Sequence, residues 1–138
     1  MFGNTSQLPY LSVCTTSTHD MNPIRAWWRE DREVTQNYYN NVLRREGIAP
    51  DQCTSDICWQ ILNNHLLSPS MLCILPLQDW LSFWDDLRKP DADTERINIP
   101  SVARHYWNYR MHLWLEDLID AHDFNGTLSA MVVKTQRD

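Results

Sequence analysis

Apolar and polar positions alternate along "YLSVCTT", residues 10 to 16, with Leu11, Val13 and Thr15 on one side and Ser12, Cys14 and Thr16 on the other. That period of two, with its β-branched content, predicts a strand. The rhythm then lengthens. Ile24, Trp27, Trp28, Val34, Tyr38 and Val42 recur three to four residues apart, while Glu30, Asp31, Arg32, Arg44 and Arg45 fall toward solvent, which predicts one amphipathic helix. Asn22 is its expected N-cap, Pro23 its first residue, where the missing N–H is harmless, and Gly47 its stop. A second helix is predicted from about Ser55 to Leu66, with Ile57, Ile61, Leu62 and His65 on one face, His65 being a satisfied structural histidine. "MLCILPL", residues 71 to 77, is apolar without alternation, the signature of a strand buried on both faces of a parallel sheet, with Pro76 near its end.

Trp80, Leu81, Trp84 and Leu87 in "QDWLSFWDDL" return to helical spacing, and "RKPDADTERINIP" reads as a surface loop. The rest, aromatic at first, suggests one or two terminal helices. Strand, helix, buried strand and helix in that order predict an α/β fold with a parallel sheet. Two strands cannot close such a sheet, and a βα-barrel takes about 250 residues, so the 138-residue chain reads as a piece of something larger.

Composition narrows the class. With 43% hydrophobic and 22% charged residues and no membrane-length apolar run, the chain has a globular profile, and no membrane partner is expected. A net charge of -6 opposes binding to phosphate backbones, so nucleic acid is not an expected partner either. The first residues lack the basic and apolar regions of a signal peptide, which together with four cysteines predicts a reduced, cytoplasmic setting. Cys53 and Cys58 are separated by four residues and lack a matching second pair, so buried free thiols are expected rather than zinc, and neither metal nor cofactor is called for.

Five stretches in order, "PYLSVCTTSTHDM", "IRAWWREDRE", "SPSMLCILPLQDWL", "ERINIP" and "HYWNYRMHLWLEDLI", resemble the C-terminal end of 4-α-glucanotransferases. This is the amylomaltase or disproportionating-enzyme family, glycoside hydrolase family 77, and the likeness is to its large type, known from plant cytosol and Bacteroides-like bacteria. It runs from about Pro9 to Val133. The resemblance implies that residues 1–138 are the C-terminal part of a (β/α)₈ catalytic barrel: its last two βα units and a helical tail. "YLSVCTT" would be strand seven, "MLCILPL" strand eight, and "STHD" the loop leaving strand seven.

By the same resemblance Asp20 is the transition-state-stabilising aspartate and His19 its sugar-binding neighbour, with Asp79 and Asn98 as further candidates for substrate contact. The partners implied are α-1,4-glucans: maltose, maltodextrins and glycogen- or starch-like acceptors. Retaining glycosyl transfer runs through an oxocarbenium-like transition state served by a carboxylate nucleophile and a carboxylic acid. A third carboxylate gripping sugar hydroxyls can tighten as charge develops. From local sequence alone, Asp20 reads as a cap for the helix near Asn22 and His19 as a turn residue, a reading that the ordered motifs reverse; for Asp79, helix capping explains the residue as well as substrate contact does. Arg96, Asn98, Trp107 and Arg110 match the family's "RxNxP…W…R" pattern, which would hold the tail over the barrel mouth. Trp27 and Trp28 offer stacking faces for sugar, but their place on an amphipathic helix favours the core.

The chain departs from the family at Ala26, often glycine there, and at Asn108 in "HYWNYR". The family's nucleophile and acid/base would lie upstream of Met1. Glu30, Asp31, Asp85, Asp86, Glu116 and Asp117 look like solvated faces and make no substitute pair. The chain by itself is therefore expected to be inactive, and a non-catalytic glucan-binding or interaction module is the other reading.

Overall fold

The computed structural model describes residues 3–104, 107 and 109–137. Two short strands, β1 (Val13–Cys14) and β2 (Leu72–Cys73), pair in parallel, with Val13 opposite Leu72 and Cys14 opposite Cys73. Between them run α1 (Ile24–Trp27), α2 (Arg32–Asn41) and α3 (Ser55–Leu66); after β2 come α4 (Leu77–Leu81), α5 (Leu115–Asp120) and α6 (His122–Lys134). The parallel pairing and the span of α3 agree with the periodicity of the sequence.

The single helix expected after Asn22 is two. Asp31 breaks it: its carboxylate accepts from the backbone N–H groups of Glu33 at 2.9 Å and Val34 at 3.1 Å, so the chain restarts as α2. Nor does Asn22 cap α1. Pro23 holds the cap position without a side-chain bond of its own, and the N–H of Ile24 is accepted by Asp79, which lies 55 residues further on, at 2.8 Å. At the other end α2 stops at Asn41, well before Gly47: Arg44 takes the left-handed conformation at φ 57° and the Arg45 N–H turns back to the Tyr39 carbonyl at 3.1 Å, while Gly47, at φ 86°, lies in the loop beyond.

β2 is also shorter than the apolar run, and it is not buried on both faces: Met71 and Leu72 are each 48% exposed and Ile74 60%. Val13, Leu11 and Tyr10 are exposed on the neighbouring strand and its approach. Among the described residues the sheet has only these two strands, so neither outer edge pairs with a third strand. The residues of "QDWLSFWDDL" after Leu81 turn rather than continue as helix, and the 88–100 segment contains one turn of 3-10 helix, Ala92–Glu95.

The core lies on the helical side. Trp28 is fully buried, with its indole N–H donating to the Pro50 carbonyl at 2.8 Å, and Trp27 meets Tyr38 edge-on at 5.3 Å. Ile57, Ile61 and Leu62 of α3 are buried among them, and Phe83 stacks on Phe124 of α6 at 5.2 Å. Burying a large apolar side chain is worth roughly 1.5–3 kcal/mol, so both tryptophans serve the core, as their helical spacing implies. His65 is buried, its Nδ1 2.7 Å from the Ile61 carbonyl, and burial pushes its pKa down, which keeps it neutral. Cys14, Cys53 and Cys58 are buried free thiols and Cys73 is half-buried.

Candidate active site

Both strands point their C-terminal ends the same way, and the chain leaving β1 carries the charged pair. Residues 15–22 form a loop closed by Thr15, whose hydroxyl donates to the Ser17 carbonyl at 2.8 Å, and by the Met21 N–H donating to the Thr18 carbonyl at 3.1 Å. Its tip presents His19 and Asp20, each about half exposed, with Nε2 of His19 3.4 Å from Oδ2 of Asp20. That distance is long for a hydrogen bond. The tight contact to Asp20 comes from elsewhere: the Asn98 side-chain amide donates to Oδ1 at 2.5 Å.

Asn98 belongs to a strap laid across the loop. Its backbone N–H donates to the His19 carbonyl at 3.0 Å, and Arg96 donates both to the Asn98 carbonyl at 2.8 Å and to the Asp20 carbonyl at 3.2 Å. The Trp107 ring lies 4.6 Å from the imidazole of His19, tilted by 39°. Three members of the expected Arg–Asn–Trp–Arg pattern thus converge on the His19–Asp20 turn; Arg110 is exposed, while His105, Tyr106 and Asn108 of the aromatic motif lie outside the described residues. Asn98 is 6% exposed and spends its amide on Asp20, the geometry of a support rather than of a sugar contact. A carboxylate has about four acceptor positions. Asn98 occupies one on Oδ1, His19 only stands beside Oδ2, and the solvent-facing positions remain open to hydroxyl donors.

Asp79 sits beneath this loop. It is completely buried in the first turn of α4 and accepts from Thr16 Oγ1 at 2.5 Å, Ser17 Oγ at 3.0 Å and the Ile24 N–H at 2.8 Å. Burial pushes its carboxyl up, and the three hydrogen bonds oppose that. Of the two roles open to it in the sequence, the buried geometry is that of a cap: it ties both ends of the 16–24 loop to α4 and cannot reach a ligand at the surface.

Residues 2–116 match the glycoside hydrolase family 77 profile, described as 4-alpha-glucanotransferase. The chain belongs to this 4-α-glucanotransferase family. It is 37% identical over 136 residues to the 4-alpha-glucanotransferase DPE2 of Oryza sativa subsp. japonica, an overlap of 99% of this chain and 14% of that protein. With the 4-alpha-glucanotransferase of Chlamydia trachomatis it shares 26% identity over 142 residues, 94% of this chain and 25% of the relative. Its fold resembles that of the amylomaltase from Streptococcus agalactiae, solved in complex with acarbose, at a TM-score of 0.65 and 22% identity, covering 91% of this chain and 22% of the other. The chain therefore spans a quarter or less of the length of these glucanotransferases.

The other carboxylates considered from the 4-α-glucanotransferase pattern, Glu30, Asp31, Asp85, Asp86, Glu116 and Asp117, are all exposed. Asp31 is engaged as a cap and Asp85 pairs with Arg88. Sequence reasoning missed Glu95. It lies in "ERINIP", read as surface loop, yet it is 1% exposed, with Oε1 3.5 Å from the Arg25 guanidinium. Burial raises its pKa to about 7, against the pull of Arg25. The available signal was the apolar Ile97 and Ile99 that flank Asn98 in an otherwise polar loop, a pattern that anchors a loop rather than letting it float.

Proposed function

We propose that this chain is the C-terminal portion, the last two βα units and the helical tail, of a (β/α)₈ barrel in a retaining 4-α-glucanotransferase. The complete enzyme moves α-1,4-glucan segments from maltodextrins or maltose to glycogen- or starch-like glucan acceptors in a reducing cytoplasm. The observation that carries the reading is the half-exposed Asp20 carboxylate, held by Asn98 beside His19 on the loop leaving a parallel strand, in a chain of this family. The acarbose in the Streptococcus agalactiae amylomaltase supports a glucan-like ligand.

In this mechanism the nucleophile and the acid/base come from the rest of the polypeptide. Asp20 accepts hydroxyls of the sugar undergoing transfer, and those bonds strengthen as positive charge develops on the ring, so they favour the transition state over the bound ground state. Asn98 fixes the carboxylate plane without neutralising it. His19, backed by Trp107, donates to a hydroxyl of the same sugar. Asp20→Asn in the complete enzyme is expected to lower turnover by at least ~100-fold, the scale of losing one preorganised electrostatic partner, with thermal unfolding unchanged. Near-normal turnover would refute the assignment, and the 138-residue chain alone is expected to transfer nothing.

A further inference from the structure

The turn that bears Asn98 begins at a carboxyl that the mechanism above does not use. Glu95 is 1% exposed; its Oε1 faces Arg25, but its Oε2 is buried and has no hydrogen-bond partner among the described residues. A buried carboxylate oxygen without a donor is costly, whereas a neutral carboxylic acid is less so. Three residues later Asn98 holds Asp20, and Arg96 between them holds the backbone of the same turn. Glu95 also lines a small crevice with Ser17, Thr18, His19, Gln78 and Ile97, so it lies directly behind the loop that presents the site.

We propose that Glu95 is a positioning residue for Asp20, acting through the Arg96–Asn98 turn. The inference rests on the reading of Asp20 given above and goes further by assigning a group that reading leaves idle. With Glu95 neutral, the strap sits down on α1 and Asn98 reaches Asp20. With Glu95 ionised, the half-satisfied carboxylate favours lifting of the strap into water, which withdraws Asn98.

The groups facing Glu95 set the balance. Arg25 on α1 and Lys89 favour the ionised form, with Arg25 also donating to the Lys89 carbonyl at 2.6 Å; Asp79 on α4 disfavours it, and Tyr109, pushed up by burial and by Glu95, lies on the following segment. Burial is the largest influence, leaving Glu95 titrating at about 7 against an ordinary 4.5. For an acid raised in this way the seated state binds the extra proton. Its advantage is therefore full below pH ~4.5, declines as pH rises toward 7, and is gone above that value. If lifting restores the ordinary value, the ceiling on the change in seating is about 300-fold.

The test uses the complete transferase and reads the Asn98 amide, whose N–H bonds to the His19 carbonyl at 3.0 Å. Its hydrogen-exchange protection, corrected for intrinsic rate, is expected to fall at least tenfold between pH 5 and pH 8 in the wild type and to stay flat in Glu95→Gln. Turnover on maltodextrin is expected to lose an alkaline limb in the same variant with KM unchanged. A flat wild-type exchange profile overturns the proposal whatever the variant does, and so does an equal fall in Glu95→Gln. If the wild type shows no glucan transfer, the functional reading fails, while the exchange profile still decides whether Glu95 governs the strap.

Discussion

Asn98→Ala separates a residue that touches sugar from one that acts through Asp20. The substitution removes a 2.5 Å hydrogen bond to Oδ1 of Asp20 but leaves the backbone N–H of residue 98 on the His19 carbonyl and Arg96 on the Asp20 carbonyl, so the strap itself survives. A hydrogen bond to a charged group contributes about 1.5–3 kcal/mol, which at 1.36 kcal/mol per decade corresponds to a loss of roughly 10–150-fold in kcat if the bond matters fully at the transition state. The assay is glucose release from short maltodextrins by the complete transferase, with kcat and KM separated. The expected result is a fall in kcat with KM nearly constant. Repeating the substitution in an Asp20→Asn background completes a double-mutant cycle, and there Asn98→Ala is expected to cost less than about threefold, because its partner no longer carries charge. Asn98→Asp should do worse than Asn98→Ala, since it sets two carboxylates at hydrogen-bonding distance. Full additivity of Asn98→Ala with Asp20→Asn, or an effect confined to KM, would refute the argument and return Asn98 to direct contact with substrate.

Two further substitutions test the frame that presents the site. Asp79→Ala leaves the Ile24 N–H and two hydroxyls buried without their acceptor; with ~1–3 kcal/mol for each unsatisfied group, partly offset by hydroxyl rotation and by relief of the buried carboxyl, the expected loss is about 2–4 kcal/mol. It should appear as a lower urea midpoint at constant m-value, and a loss near zero would show that the loop does not depend on α4. Asp31→Ala removes the side-chain cap of α2 and should cost about 1 kcal/mol by the same measurement, with little effect on turnover.

What the sequence made legible was what is local. Ser55–Leu66 shows its helix because its apolar face and its polar flanks are written within three turns. The break between α1 and α2 was hidden, because a capping aspartate and a solvent-facing aspartate look alike in a helical pattern until the backbone N–H groups they meet are known. The Met71–Leu77 run and the exposed β2 make a more informative mismatch. Its composition records burial on two faces, while Met71, Leu72 and Ile74 are about half exposed or more and no described strand pairs with either outer edge, and that difference is itself an argument for a larger sheet around it. The candidate site divides along the same line. His19 and Asp20 emerged from an ordered set of motifs, not from local chemistry, since a His-Asp pair before a helix is an ordinary cap. Asp79 and Glu95 owe their character to partners 55 to 70 residues away, Ile24 and Arg25, and no spacing rule reveals which carboxylates tertiary packing will bury. Those two carboxyls nonetheless fix the loop from below and the strap from behind, so the part of the site least visible in the sequence is the part that decides where Asp20 points.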